Sequence, residues 1–280
     1  MNILPEDKKI LVLTLLSEGN SLRTISRVSG VARNTVSKLL LDAGENAREI
    51  MNREMVNLQV KKLQVDEIWT FVGKKQRWIK PEDSPDMGDQ YVFVALDPDT
   101  KLIPAFKIGK RTGKNAASFM MELSTRIVTR FQLSTDSFPG YPDAVDRVFG
   151  SDIDFGMIHK VYRSDPARDS EHRYSPPNII RVDKRAISGE PNWRDVSTSM
   201  VERQNLTMRM QMRRFTRLTN AYSKSLRHLW AALSLYFFHY NFMRIHETLR
   251  VTPTMEAGIC KHLWTWDEFI VWNNREKEAA

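Results

Sequence analysis

An abrupt change in hydrophobic period near residue 57 constrains the fold of this chain more than any other feature of its sequence. Over residues 63–72, apolar side chains recur at every second position, a pattern typical of a β-strand. Further apolar runs at residues 91–97 and 102–108 predict that this strand begins a meander of three. A helical pattern over residues 113–128 and a short strand over residues 131–135 follow. Because a helix that joins two parallel strands makes a right-handed crossover, we expect a mixed α/β fold.

The N-terminal part of the chain has a helical pattern and predicts three short helices. Gly19 ends the first helix, Ser21 caps the second, and a break follows at Gly30. Ser26, Gly30 and Val36 stand at the intervals of a helix-turn-helix, which needs a small contact residue, a glycine turn and a β-branched plug. A helical hairpin that serves dimerisation is the alternative. In a DNA-binding motif, four side chains of the third helix would reach bases and phosphates: Arg33, Asn34, Thr35 and Lys38.

The patterns divide the chain into segments. We expect a helix-turn-helix DNA-binding domain at residues 1–46, a linker at 47–58 that could also continue as helix, a catalytic domain at 59–250 and a C-terminal tail at 251–280. Prolines and alternating charges predict that residues 162–198 form an insertion loop, one that could contact DNA. Two helices are expected after this loop. The first begins near Ser199, and the second carries an apolar stripe that predicts packed core: Trp230, Leu233, Phe237 and Tyr240.

The charge balance favours a polyanionic partner. The chain has 42 basic and 34 acidic residues, a formal charge of +8, and a pI near 9.5. Most of this excess lies in residues 200–250, where nine basic residues face two acids, a local balance of +7. Three arginines of this segment are expected to contact DNA: Arg203, Arg209 and Arg213.

Cysteine content and hydropathy favour a cytoplasmic, nucleoid-associated protein. Cys260 is the only cysteine, so the sequence offers neither a disulfide framework nor a cysteine-rich zinc module. The N-terminus lacks the pattern of a secretory signal. The longest apolar stretch, residues 229–240, is too short to span a bilayer. We therefore expect no membrane partner.

Three acids occur at positions that one known architecture brings together. A meander, a crossover, an acid at the tip of the next strand and an acid on a late helix describe the ribonuclease H-like architecture, with Asp66, Asp136 and Glu202 as the acids. Hard oxygen ligands suit Mg²⁺, and two such ions can activate a water or a 3′-hydroxyl. Glu67 competes with Asp66, because a period of two lets only one of these neighbours point at the site. Taken alone, Asp136 could start a turn and Glu202 could be a first-turn helix acid.

Segments around these acids resemble the three acidic blocks of DDE transposases of the insertion-sequence-one family. The blocks are residues 65–72, 135–141 and 201–209, and the resemblance extends to the N-terminal helices and to residues 240–253. It implies an Asp-Asp-Glu site that binds Mg²⁺ or Mn²⁺, with nuclease and strand-transfer activity. It also implies that the helix-turn-helix recognises terminal inverted repeats. Some members carry a zinc-binding cysteine cluster, which this sequence lacks.

The resemblance also assigns a role to Arg209. This residue follows Glu202 by seven positions and so lies on the same helical face. It corresponds to a basic residue that touches DNA near the site in such enzymes. We therefore expect the third acid, Glu202, and a DNA contact, Arg209, to lie on the same face of one helix.

The leading hypothesis is a metal-dependent DNA transposase that cleaves phosphodiesters and transfers a 3′-hydroxyl during insertion-sequence transposition. The alternative from another class is a catalytically silent, domesticated transposase that acts as a DNA-binding regulator. A nuclease of the same fold that does not join strands is a third option. Since synapsis of two element ends needs at least two protomers, we expect a homodimer on double-stranded DNA.

Overall fold

The computed structural model describes residues 4–162, 179–216 and 219–279, with side chains as far as residue 272. Six strands and nine α-helices occur in this described part of the chain. The strands are β1 (Lys62–Val72), β2 (Gly88–Leu96), β3 (Phe106–Gly109), β4 (Gln132–Asp136), β5 (Asp154–Tyr162) and β6 (Ile179–Ser188). The helices are α1 (Glu6–Ser17), α2 (Leu22–Ser29), α3 (Arg33–Glu54), α4 (Gly113–Ser124), α5 (Tyr141–Phe149), α6 (Ser199–Gln211), α7 (Leu226–Phe238), α8 (Pro253–Glu256) and α9 (Trp266–Ala279).

The six strands form one mixed sheet in the order β3-β2-β1-β4-β5-β6. The meander β1-β2-β3 is antiparallel. After α4 crosses over, β4 pairs in parallel with β1, and β5 then pairs in parallel with β4. This arrangement confirms the mixed α/β class and gives the ribonuclease H-like sheet expected from the sequence. It places the end of β4 beside the middle of β1.

Strand β6 differs from the sequence expectation. The insertion loop was expected over residues 162–198, yet residues 179–188 form an edge strand that pairs antiparallel with β5. The segment has alternating charges and most of its side chains are exposed, so its own sequence pattern is weak. Pairing with β5 stabilises it instead, which is a non-local cause. The preceding residues of the expected loop, 163–178, lie outside the described part of the chain.

The three N-terminal helices form as expected. The Ser21 side chain accepts a hydrogen bond from the Thr24 amide and caps α2. Gly30 ends α2 in the left-handed conformation, with φ of 69°, and residues 30–32 form a short turn into α3. Val36 is fully buried in a small apolar cluster between these helices, together with Val12, Ile25 and Val31. The predicted cap, turn and plug are therefore in place.

Helix α3 crosses the expected domain boundary without interruption. Residues 47–58, expected to be a linker or a continuation of the helix, supply the last turns of this helix up to Glu54. Ala47, Ile50 and Met51 are buried there and belong to the main hydrophobic core. At Gly44, an added Cβ would lie 2.4 Å from the Cα of Ala231, so α3 and α7 are in close contact. The apolar side of this helical segment packs in the core. Mixed charges on its exposed side make that apolar side hard to recognise in the sequence.

The C-terminal helices complete the core. Leu233, Phe237 and Tyr240 are buried as the stripe predicted, whereas Trp230 is half-buried beneath the guanidinium of Arg48. Helix α7 continues into a π-helical turn at His239–Met243. The expected tail contains α9, whose Phe269 and Ile270 also join the core. None of the described helices combines the length and the apolar character needed to cross a bilayer.

Candidate active site

Three carboxylates converge where β1 and β4 lie side by side. Asp66 and Glu67 project from the middle of β1, and Asp136 is the last residue of β4. One carboxylate oxygen from each lies within 4.8 Å of the corresponding atoms of the other two. The structure thus brings together the predicted pair Asp66 and Asp136, and adds Glu67 to them.

Both neighbours on β1 reach the site, contrary to the expectation that only one could. The parallel pairing of β1 with β4 extends only to Val65 opposite Thr135. Beyond this pair, β1 has no neighbouring strand on the β4 side among the described residues. Asp66 approaches Asp136 from the side of α6, while the longer Glu67 side chain reaches round from the side of α4 and α5. The two side chains still leave β1 on opposite faces, but the end of β4 leaves room for both to reach Asp136.

Glu67 is held by two side chains that sequence reasoning missed. The Tyr141 hydroxyl donates a hydrogen bond to its Oε1. Arg111 donates from Nε to Oε2 at 3.0 Å and from Nη2 to Oδ2 of Asp136 at 3.0 Å. The same guanidinium lies 4.3 Å from the ring centroid of Phe138. Tyr141 belongs to the second acidic block, whereas the turn before α4 that carries Arg111 had no signal beyond a pair of basic residues.

Glu202 lies on α6 beside this group and is not one of its members. Its carboxylate pairs with Lys160 of β5 and accepts a hydrogen bond from Thr198 Oγ1 at 2.6 Å. Thr198 occupies the N-cap position of α6, but its side chain bonds Glu202 and not a backbone amide. One turn further along α6, Asn205 Nδ2 donates to Asp66 Oδ2 at 2.8 Å. Helix α6 therefore contacts the cluster through Asn205, with Glu202 at its side.

Burial and mutual repulsion make two of these acids hard to ionise. The pKa of Asp66 is raised to about 6, mainly by burial and next by the charge of Asp136. The pKa of Glu67 is raised to about 7 by the same two causes. A divalent cation would offset this repulsion, and three carboxylates present the hard oxygen donors that Mg²⁺ and Mn²⁺ accept. The donor set therefore fits such an ion.

The residues expected to contact DNA are accessible in most cases. Arg33, Asn34, Thr35 and Lys38 are all exposed at the start of α3. On and after α6, Arg203 and Arg213 are exposed and Arg209 is half-buried. Arg209 lines a cavity at the far end of β1, together with Trp69 and Phe71. Arg217, which the basic segment also includes, lies outside the described residues.

Comparison with known proteins gives distant matches among solved structures. No protein-family model and no curated protein matches the chain. A cryo-EM structure of a piggyBac transposase synaptic complex with hairpin DNA is 13% identical, with a TM-score of 0.41 over 98% of this chain and 73% of that one. The Mos1 Strand Transfer Complex is 12% identical with a TM-score of 0.22, over 52% of this chain and 56% of that one. A pre-cleavage Mos1 transpososome is 10% identical with a TM-score of 0.21, over 55% and 60%. This chain thus spans less than two thirds of the Mos1 chains, and at these scores the likeness carries no weight for function.

Proposed function

We propose that the protein is a DNA transposase of the insertion-sequence-one type. It would bind terminal inverted repeats and catalyse metal-dependent cleavage and 3′-OH strand transfer. The observation that carries this proposal is the meeting of Asp66, in the middle of β1, with Asp136, at the end of β4, in a ribonuclease H-like sheet. Two strand-borne acids at this edge, with a basic helix beside them, suit phosphodiester chemistry on DNA.

Asp66, Asp136 and Glu202 would hold Mg²⁺ or Mn²⁺. When bound, such ions activate an attacking oxygen and stabilise the leaving oxygen at phosphorus. Asn205 orients the Asp66 carboxylate through its hydrogen bond. Thr198 orients the Glu202 carboxylate in the same way. These bonds fix the direction in which each acid presents its remaining lone pairs.

Accessibility favours Glu202 over Glu67 as the third acid. The Glu67 side chain is only 2% exposed, and Tyr141 and Arg111 already occupy its two oxygens. The side chains of Asp136 and Glu202 are 35% and 41% exposed, so DNA can approach both. Glu67 then acts as a positioning residue that holds Arg111 against Asp136. Lys160 neutralises the Glu202 charge in the metal-free protein and would be displaced or shared when a cation binds.

Recognition of DNA is assigned to the N-terminal helices. We place a helix-turn-helix in residues 1–46, with the exposed side chains at the start of α3 as its DNA contacts. Residues 59–250 would form the catalytic unit, and Arg203, Arg209 and Arg213 would contact phosphates near the acids. A homodimer would hold two element ends, and an association with the nucleoid follows from such binding.

The test is a cleavage and joining assay on DNA that carries the inverted repeats bordering the gene. Wild-type protein with Mg²⁺ or Mn²⁺ should cut and join, while Asp136→Asn and Glu202→Gln should do neither and still bind. Asp143→Asn is the matched control, because Asp143 is exposed on α5 and pairs only with Arg147 among the ion pairs described. Activity of either site variant at the wild-type level would refute the site.

The same assay separates the other candidate functions. Specific binding without cleavage in any metal would identify a DNA-binding regulator. Hydrolysis without joining of pre-nicked ends would identify a nuclease of the same fold. Neither outcome is compatible with the proposed transposase.

A further inference from the structure

A large open cavity lies beyond the acids at the far end of β1. Its volume is about 980 Å³, which is in the range of ligand sites. Five aromatic side chains line it: Trp69, Phe71, Trp78, Phe215 and Tyr222. The Phe71 and Tyr222 rings lie 4.4 Å apart, and the Trp69 and Phe71 rings 5.7 Å apart. Trp78 is 63% exposed, so this wall is not part of the packed core.

The cavity is also strongly cationic. Its described lining includes five basic side chains and no acid: Lys74, Lys75, Arg77, Arg209 and Arg214. Lys74 pairs with Asp83, which lies outside the lining. Arg77 lies 5.3 Å from the centroid of the Trp78 ring, and Lys75 lies 6.0 Å from that of Phe71. Cations are therefore interleaved with the aromatic rings.

Arg214 is the most informative member of this group. Burial lowers the pKa of its guanidinium to about 10, and no acid offsets that burial. Among the described residues its hydrogen bond runs from Nη1 to the Ser223 hydroxyl at 3.0 Å, and no salt bridge to it is formed. Arg214 is half-buried, and a cation withdrawn from water without an acidic partner is costly unless a ligand supplies the charge. The guanidinium thus indicates an anion, and its fork suits a phosphate.

A nucleotide offers what this wall requires, a flat base beside a phosphate. Bases in a duplex are already stacked on each other, so an unpaired nucleotide is the form that exposes its face. Resting on the proposed function, we propose that this cavity binds an unpaired nucleotide of the DNA substrate, with its base on the Trp69, Phe71, Trp78 and Tyr222 wall and a phosphate at Arg214.

The cavity lies close enough to the acids for one DNA strand to reach both. Trp69 follows Asp66 by three residues on β1, a rise of about 10 Å along the strand. A stacked strand advances about 3.4 Å per nucleotide, so this distance corresponds to about three nucleotides. A strand whose phosphodiester lies at Asp66 and Asp136 would therefore place a nearby unpaired nucleotide in the cavity.

The experiment measures binding of the full chain in EDTA, where cleavage plays no part. Two probes share one sequence: a blunt duplex, and a duplex with a short single-stranded extension that contains 2-aminopurine. We expect quenching of the 2-aminopurine and tighter binding of the extended probe. Trp78→Ala should reduce the affinity for the extended probe by roughly fivefold or more and leave the affinity for the blunt probe unchanged. Arg214→Lys keeps the charge and loses the forked N–H donors of the guanidinium, so it should also reduce the affinity for the extended probe.

Trp193→Ala is the matched control, because Trp193 is 50% exposed and its side chain lies outside the lining of this cavity. It should bind both probes as wild type does. The inference would be overturned if Trp78→Ala reduced the affinity for both probes equally, or for neither. A free deoxynucleotide 5′-phosphate that bound as tightly as the extended probe would also overturn it in favour of a mononucleotide site. Failure of the proposed function would appear separately, as a lack of cleavage with metal or of binding to the blunt probe.

Discussion

Asn205 donates a hydrogen bond to Asp66 across 2.8 Å, and this contact joins helix α6 to the acidic middle of β1. The bond stabilises the ionised carboxylate and so works against the burial that raises the pKa of Asp66. Glu202 lies one turn earlier on the same helix. The amide therefore fixes the position of α6 and keeps Asp66 able to accept a cation.

Replacing Asn205 by alanine should weaken metal binding. Without the hydrogen bond, the pKa of Asp66 rises further and the cation must compete with a proton up to a higher pH. We expect a loss of Mn²⁺ affinity of about 10- to 100-fold near pH 6.5 that narrows at pH 8, measured by titration calorimetry. Leu206→Ala on the exposed side of α6 is the control and should bind Mn²⁺ normally. An equal loss at both pH values would contradict the account.

Substitution of the two glutamates should separate their roles. Glu202→Gln should reduce metal-dependent cleavage by more than about 100-fold, since a ligand is lost. Glu67→Gln keeps an acceptor for Arg111 and Tyr141, so we expect a loss within about 10- to 100-fold. The measurement is single-turnover cleavage over a range of Mn²⁺ concentrations. If Glu67→Gln proved the more damaging, Glu67 and not Glu202 would be the third ligand.

Stability without metal should depend on pH through Asp66 and Glu67. Their pKa values are about 6 and about 7 in the folded protein, against about 4 in an unfolded chain. The folded state thus binds more protons between pH 4 and 7, and the free energy of unfolding falls as pH rises through that window. Urea unfolding in EDTA should show Asp66→Asn gaining about 2 kcal/mol over wild type at pH 8, and less at pH 5. A gain that did not change with pH would contradict these shifts.

Gly19 should be far less replaceable than Gly30, although both have left-handed backbones. Their φ angles are 73° and 69°, so a Cβ costs about 1–2 kcal/mol at either. At Gly19 the Cβ would also lie 1.7 Å from the Gln211 carbonyl oxygen, whereas at Gly30 the nearest atom, Lys8 Nζ, is 3.9 Å away. Gly19→Ala should therefore cost about 1–3 kcal/mol more than Gly30→Ala in urea unfolding. Equal losses of unfolding free energy would show that the α1–α2 turn is not in close contact with α6.

Local signals predicted the parts of the fold that local interactions determine. Ser21 and Gly30 were identified from the sequence because a cap and a left-handed helix end depend on a few neighbouring residues. The alternation in β1 was readable for the same reason, as one strand face packs on a core. Asp66 and Asp136 followed from the order of the elements.

Non-local contacts account for the rest. Strand β6 depends on its pairing with β5, and the buried end of α3 depends on α7, so neither has a strong pattern of its own. Glu67 reaches the site together with Asp66 because β4 ends opposite them, which the period of two along β1 does not reveal. Arg111 and Lys160 come from elements far apart in the chain, and each pairs with an acid that only the folded sheet brings near.

Helix α3 fixes the orientation of the N-terminal helices relative to the main core. It extends unbroken over 22 residues, about 33 Å, from the exposed Arg33 to turns buried in the main core. One residue inserted near its middle would rotate the first half by about 100° and shift it by about 1.5 Å. The direction in which Arg33 and Lys38 point is thereby set by helical phase, and the chain has no hinge within this helix to correct it.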